Sequence, residues 1–287
     1  MKLIGNIKGP LMLLLASLIW GFAFAAQSAG MDYVGPFTFT ACRSFLGAFA
    51  LLPVIFVMDR NRQDKLWIKG GLLCGLCLSV AMTLQQVGLV STSAGKSGFL
   101  TALYILFVPI LGTFVHRRAS RFEKIGVLIA LVGFYYLCMK ESFSLAFGDV
   151  VLICSAIVFA VHILVIDRFS PYTSGLRISM VQFLVAGTVN LMLMFLFEQP
   201  ALSDISAAWI PIAYAGILSS AVGYTLQIVG QKHTRVTQAS LIMSLESVFS
   251  VLAGWVVLNQ TLSVDEMFGC GLIFAAICVA QISVKEK

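Results

Sequence analysis

Ten stretches of this chain are each long and apolar enough to cross a lipid bilayer, and that leaves few folds open. A helix rises about 1.5 Å per residue and the hydrocarbon core is about 30 Å thick, so roughly 20 apolar residues make one crossing. The stretches are 10–29, 37–58, 68–90, 93–115, 123–139, 148–166, 176–197, 209–231, 236–258 and 267–283. Short connections join them, so little chain is left for a soluble domain. The composition agrees: of 287 residues, 59% are hydrophobic and 11% charged, where soluble domains are about a quarter charged. A disordered, collagen-like or nucleic-acid-binding chain could not carry so much apolar surface. The expected fold is an all-α integral membrane protein of ten transmembrane helices.

The basic residues orient the bundle. With both termini cytoplasmic, alternation puts Lys2, Lys8, Arg60, Arg62, Lys65, Lys69, Arg117, Arg118, Arg121, Lys124, Arg168, Arg177, Lys232, Arg235, Lys285 and Lys287 inside, and only Lys140 outside. Arg43 and Lys96 fall within spans. A wrong span count would scramble that partition, so it supports both the orientation and the number ten. The chain reads as a multi-pass protein of the cell membrane. Its net charge of +6 and pI of 9.0 follow from topology and indicate no anionic partner. A cleaved signal peptide ending near Ala23-Phe24-Ala25-Ala26 is an alternative reading of the amino terminus. Against it, that run is long enough to span and the repeat described next requires it.

The seven cysteines, among them Cys74-Gly75-Leu76-Cys77, all lie in apolar runs. There a thiol acts as a small hydrophobe, and no His or second Cys pair accompanies the CxxC spacing. Gly71, Gly75 and Ser79 form a small-residue stripe suited to close helix contact.

A shift of 142 positions lays Trp67 on Trp209 and continues without a gap for about fifty residues. It sets Thr83-Leu84-Gln85-Gln86-Val87-Gly88 on Thr225-Leu226-Gln227-Ile228-Val229-Gly230, and then Leu103, Phe107 and Gly112 on Leu245, Phe249 and Gly254. Chance aligns leucines between apolar helices far more readily than a hexapeptide containing glutamine. The chain therefore divides into a first repeat, 1–143, and a second, 144–287. Five spans is an odd number, so the second repeat enters the membrane from the opposite side. Two inverted halves around a midplane site are the architecture of alternating access.

These features resemble the drug/metabolite transporter superfamily, EamA-domain type, over nearly the whole length. The resemblance rests on the paired five-helix halves, Trp20-Gly21, Arg43, Thr92-Ser93-Ala94-Gly95-Lys96-Ser97-Gly98-Phe99, Pro109 and Ser244-Leu245-Glu246. It implies a ten-helix secondary carrier of small metabolites, often an exporter. Ser247 stands where members often have Pro, and Asn259-Gln260 where an acidic residue often follows. Both departures bear on local helix geometry more than on the fold.

A charge at the bilayer centre costs about 3 kcal/mol or more, so each one needs a partner, a cavity or a function. Arg43 lies roughly 10 Å below the start of its helix. It either binds an anion through its guanidinium or bonds structurally to helix carbonyls. Lys96, whose repeat counterpart is Gln238, either joins the site or snorkels to the headgroups. Glu246 lies near the midplane opposite its counterpart Tyr104. Apolar surroundings favour a neutral carboxyl, which suits a proton carrier, and a substrate ammonium or an interhelical bond are the alternatives. Inverted symmetry brings Tyr104, with Ser97 and Thr101, toward Glu246. Gln85, Gln227 and Tyr224, the last at i+4 from Ser220, complete the walls, and Trp20 offers a stacking face. Taken singly, each of these polar groups also suits plain interhelical bonding. His162 reads as a hydrogen-bonded structural residue, with proton relay as the alternative; His116 and His233 lie in loops.

The expected activity is secondary transport of a small polar metabolite such as an amino acid, because an acid and a base share the cavity. A proton moving through Glu246, or the substrate's own gradient, would drive it. A multidrug or cationic-compound carrier is the alternative, and a lipid-handling scaffold, a channel or a membrane-embedded enzyme are rivals. Enzyme motifs such as HExxH and GxSxG, and a Walker motif, are missing from the sequence. The expected partners are a small-molecule substrate and the bilayer, with no nucleic acid, cofactor or metal. A monomer and a homodimer both remain open.

Overall fold

The computed structural model describes residues 7–59, 64–138, 146–258, 263–280 and 282. Lys2, Arg60, Arg62, Lys140, Lys285 and Lys287 of the charge partition, and the Asn259-Gln260 pair, lie outside the described residues.

Every described element is helical, as lipid demands of backbone N–H and C=O groups that have no water to bond. The first three helices are α1 (Lys8–Gly30), α2 (Pro36–Met58) and α3 (Leu66–Leu89). Pro36 opens α2 at a position where a missing N–H costs nothing. The fourth span divides into α4 (Ala94–Ala102) and α5 (Tyr104–Phe114), and α6 (Arg121–Cys138) and α7 (Phe147–Phe169) follow. Next come α8 (Gly175–Phe197), a short surface helix α9 (Leu202–Ala207) that hydropathy did not foretell, and α10 (Trp209–Ala213). A π-helix over Tyr214–Gly223 links α10 to α11 (Tyr224–Gln231). The ninth span divides into α12 (Val236–Met243) and α13 (Leu245–Leu258), and α14 (Val264–Ala280) is last.

Among the described residues eight helical stretches are long and apolar enough to cross a membrane, rather than the ten expected. The other two are short of the standard. Helix α6 has 18 residues but opens on Arg121, Glu123 and Lys124, and α14 has 17 residues. These two pack closely on one another, each about 26 Å long at the usual rise.

The expected small-residue stripe of α3 lies against α8. A β-carbon on Gly71 would meet Val181 Cβ at 2.5 Å, and one on Gly75 would meet Val185 Cβ at 2.6 Å. The backbones therefore approach as only small residues allow, which is how membrane helices gain packing when lipid is as apolar as leucine. Cys74 is buried and Cys77 partly so, both as free thiols. One large core, with Leu78, Met82, Ile105, Phe134, Phe183 and Ile273 within it, ties helices of both halves together.

Two interruptions position the site. Leu103 separates α4 from α5, and Ser244 separates α12 from α13. Both keep right-handed backbone angles, with single tight turns bonding Leu106 N to Leu103 O at 3.0 Å and Ser247 N to Ser244 O at 3.1 Å. They fall within one residue of the 142-position offset of the sequence repeat. Around the second, Ser240, Ser244, Ser247 and Ser250 each donate to the carbonyl three residues before, at 2.8 to 2.9 Å. Such back-bonding bends a helix without a proline.

Candidate functional site

A cavity at the centre of the bundle is lined by Trp20, Phe24 and Gln27 of α1, Arg43 of α2, Gln85 of α3, Thr101 of α4 and Tyr104 of α5. Phe159 and Ile163 of α7, Ser219 of the π-helix, Tyr224 and Gln227 of α11, Met243 and Glu246 complete it. About 440 Å³ of non-atom space lies among them, most of it in crevices narrower than a small molecule. Arg43, Glu246, Tyr104, Thr101, Gln85, Gln227, Tyr224 and Trp20, all singled out in the sequence, thus border one space. Lys96 is set apart: its Nζ pairs at 3.0 Å with Asp149 of α7.

Arg43 is 2% exposed. Its Nη1 donates to Gln27 Oε1 at 2.8 Å, its Nη2 to Ser219 Oγ at 2.8 Å, and its Nε to Ser220 Oγ at 3.3 Å. The partners are two hydroxyls and an amide oxygen, not the helix carbonyls of the structural alternative. All three are neutral, so they satisfy the fork's geometry and leave its charge uncompensated. Two adjacent serines reach one guanidinium because they lie in the π-helix, whose wider turn re-aims side chains and is frequent at functional sites. Trp20 Nε1 donates to Ser219 O at 3.3 Å and Tyr214 Oη to Ile19 O at 3.0 Å, fixing that segment against α1.

Tyr104 is the first residue after one helix interruption and Glu246 the second after the other, and the two face each other. Both are buried. Tyr104 and Glu246 interact side chain to side chain, without the geometry that would satisfy Tyr104 Oη or Glu246 Oε1 fully, and Gln227 Oε1 is unpaired. Orphaned buried polar atoms in a cavity wall are what a polar ligand or water would satisfy. Gln85 Nε2 donates to Thr101 Oγ1 at 3.3 Å.

Tyr224 is buried and borders the same cavity as Arg43 and Glu246. Its ring meets Trp20 at 4.8 Å, Phe183 at 5.3 Å and His162 at 6.1 Å between centroids. A narrow aromatic wall results, of the kind that packs against apolar or cationic groups. Gly21 lets α1 come this close: a β-carbon there would meet Phe249 Cβ of α13 at 2.3 Å. His162 is fully buried and bonds through Nε2 to Gln182 Oε1 at 3.0 Å, outside the cavity wall.

Sequence reasoning missed Gln27 and Ser219, which hold two arms of Arg43. Gln27 stands seven residues after Trp20, on the same face of α1, and an amide so placed in an apolar span was the available signal. Ser219 carried none apart from its neighbour Ser220.

The sequence profile of the EamA-like transporter family matches residues 7–139 and again 146–281. The chain belongs to the EamA-like transporter family. It is a multi-pass membrane protein of transporter type. An uncharacterized transporter of Archaeoglobus fulgidus is 28% identical over 284 residues, covering 97% of this chain and 87% of its own length. The uncharacterized transporter YoaV of Bacillus subtilis is 19% identical, covering 98% and 99% respectively. A WAT1-related chloroplastic protein of Arabidopsis thaliana is 24% identical over 280 residues, covering 90% of this chain and 66% of its own. A crystal structure with 19% identity superposes with a TM-score of 0.78 over 95% of this chain and 96% of its own, which shows a shared fold.

Proposed function

We propose that this EamA-like transporter is a secondary carrier that exports small zwitterionic metabolites, amino acids foremost, by alternating access. The observation that carries the reading is that Arg43 and Glu246 border one buried cavity together with Tyr224. Arg43 has neutral partners, so a carboxylate supplies the missing charge and a bidentate contact. Glu246 has Tyr104 as its neighbour and no cationic partner among the described residues, so an ammonium group, or a proton, completes it. A zwitterion satisfies both ends at once.

The mechanism uses two inverted halves, 1–143 and 144–287, that exchange conformations about this cavity. The gapless sequence repeat and the matched interruptions at Leu103 and Ser244 support it. The basic-residue partition supports ten spans in the cell membrane with both termini cytoplasmic. In that scheme Glu246 exchanges its proton between cycles and couples export to a proton gradient. The aromatic wall of Trp20 and Tyr224 beside a carboxylate favours a second reading, a carrier of cationic or multidrug-type compounds.

Counterflow in proteoliposomes tests the mechanism. Unlabelled amino acid on the far side should accelerate uptake of the labelled one. A rate indifferent to the far side would indicate a pore and reject the carrier.

A further inference from the structure

A second open space, away from the central cavity, lies on the outer face of the bundle where apolar side chains are exposed. Between α5 and α6 runs an open groove with about 1430 Å³ of non-atom space, floored by Leu106, Pro109, Ile110 and Leu128. The chain makes it by two devices. The helices α5 and α6 touch along only a short stretch, and Pro109 interrupts the α5 bonding ladder beside the gap. After Phe114 the chain doubles back: His116 adopts a left-handed φ of 59°, and Arg117 N bonds to Gly112 O at 2.8 Å. That turn sets Arg118 at one end of the groove, where Lys124 of α6 joins it.

Both cations are exposed, and the nearby carboxylates are engaged elsewhere. Glu123 pairs with Arg235 at 3.2 Å and caps its own helix by accepting from Ser120 N at 2.6 Å. Asp167 pairs with Arg117 at 2.7 Å. Among the described residues no carboxylate pairs with Arg118 or Lys124. The groove therefore offers an apolar floor with two uncompensated positive charges at its membrane-surface end.

We propose that this groove holds one anionic phospholipid, its phosphate on Arg118 and Lys124 and an acyl chain along Leu106, Ile110 and Leu128. Guanidinium forks and ammonium groups between membrane helices recognise phosphate in this way. The apolar floor excludes a free phosphate as the full occupant, because Ile110 and Leu128, 55% and 63% exposed, then stay uncovered. The proposal does not depend on the transported substrate.

The test uses the full chain in detergent, titrated with phosphatidylglycerol or phosphatidylcholine and followed by native mass spectrometry and thermal unfolding. One phosphatidylglycerol should be retained per chain, preferred roughly 30-fold over phosphatidylcholine and raising the unfolding temperature. The R118Q/K124Q pair should abolish that preference, and Lys69→Gln, an exposed lysine on α3, should keep it. Equal retention of the two lipids by the unaltered protein would overturn the proposal. So would a preference that survives the double variant, stabilisation by glycerol phosphate alone, or a second copy of the chain covering the groove.

Discussion

Replacing Arg43 with lysine keeps the charge and removes the fork. The guanidinium gives three donors to three fixed acceptors, Gln27, Ser219 and Ser220, whereas a compact ammonium on a flexible stem cannot face all three. The serines can turn their hydroxyls to carbonyls of their own helix, so Gln27 Oε1 carries most of the loss. An unsatisfied buried acceptor costs about 1–3 kcal/mol, and thermal unfolding of the purified variant should report that range. Transport separates stability from binding. If Arg43 meets the substrate carboxylate, Arg43→Ala should weaken a carboxylated substrate at least 30-fold, from a loss of about 2 kcal/mol or more, relative to the decarboxylated amine of the same side chain. Arg43→Lys should recover part of that discrimination. Competition counterflow with the two compounds measures it, normalised to folded protein. Equal losses for both, in both variants, would mean that Arg43 only joins α1 and α2 to the π-helix.

Glu246→Gln should abolish accumulation driven by an imposed pH gradient while the variant still folds and inserts; unchanged accumulation would reject proton coupling through this residue. Gly21→Leu should force α1 away from Phe249, lowering the unfolding temperature by an amount fitting about 1–3 kcal/mol of overpacking, and a neutral result would show that the helices do not approach as described. Lys96→Met should leave the buried Asp149 carboxylate with the Ala146 N–H but no counter-charge and destabilise the protein by about 1–3 kcal/mol. The added change Asp149→Asn should restore most of that, and strictly additive effects would show that the pair is not coupled.

The spans were legible because lipid imposes a length and a hydropathy that a single sequence carries openly. Where the structure departs, the cause is local. Arg121, Glu123 and Lys124 shorten the apolar part of α6, and Leu103 and Ser244 mark interruptions closed by single tight turns, which hydropathy does not report. The π-helix over Tyr214–Gly223 leaves no periodic signature, so Ser219 gave no sign of touching Arg43. Arg43, Tyr104 and Glu246 were legible because polar groups in apolar helices demand an explanation. Lys96 raised the same question, but its partner Asp149 comes from the start of a helix 53 positions later in the chain, a distance that no local pattern reports.

The ion pairs at the two ends of α7 have a mechanical consequence. Asp149 holds Lys96 at the start of α4, and Asp167 holds Arg117 just beyond α5; their separation along α7 is about 27 Å at the usual rise, nearly the depth of the hydrocarbon. The fourth span, α4 with α5, is thus tied to α7 near both ends, and sliding one along the other breaks at least one of the two pairs. Span and helix can swing apart only once one pair lets go, with the surviving one as the fulcrum.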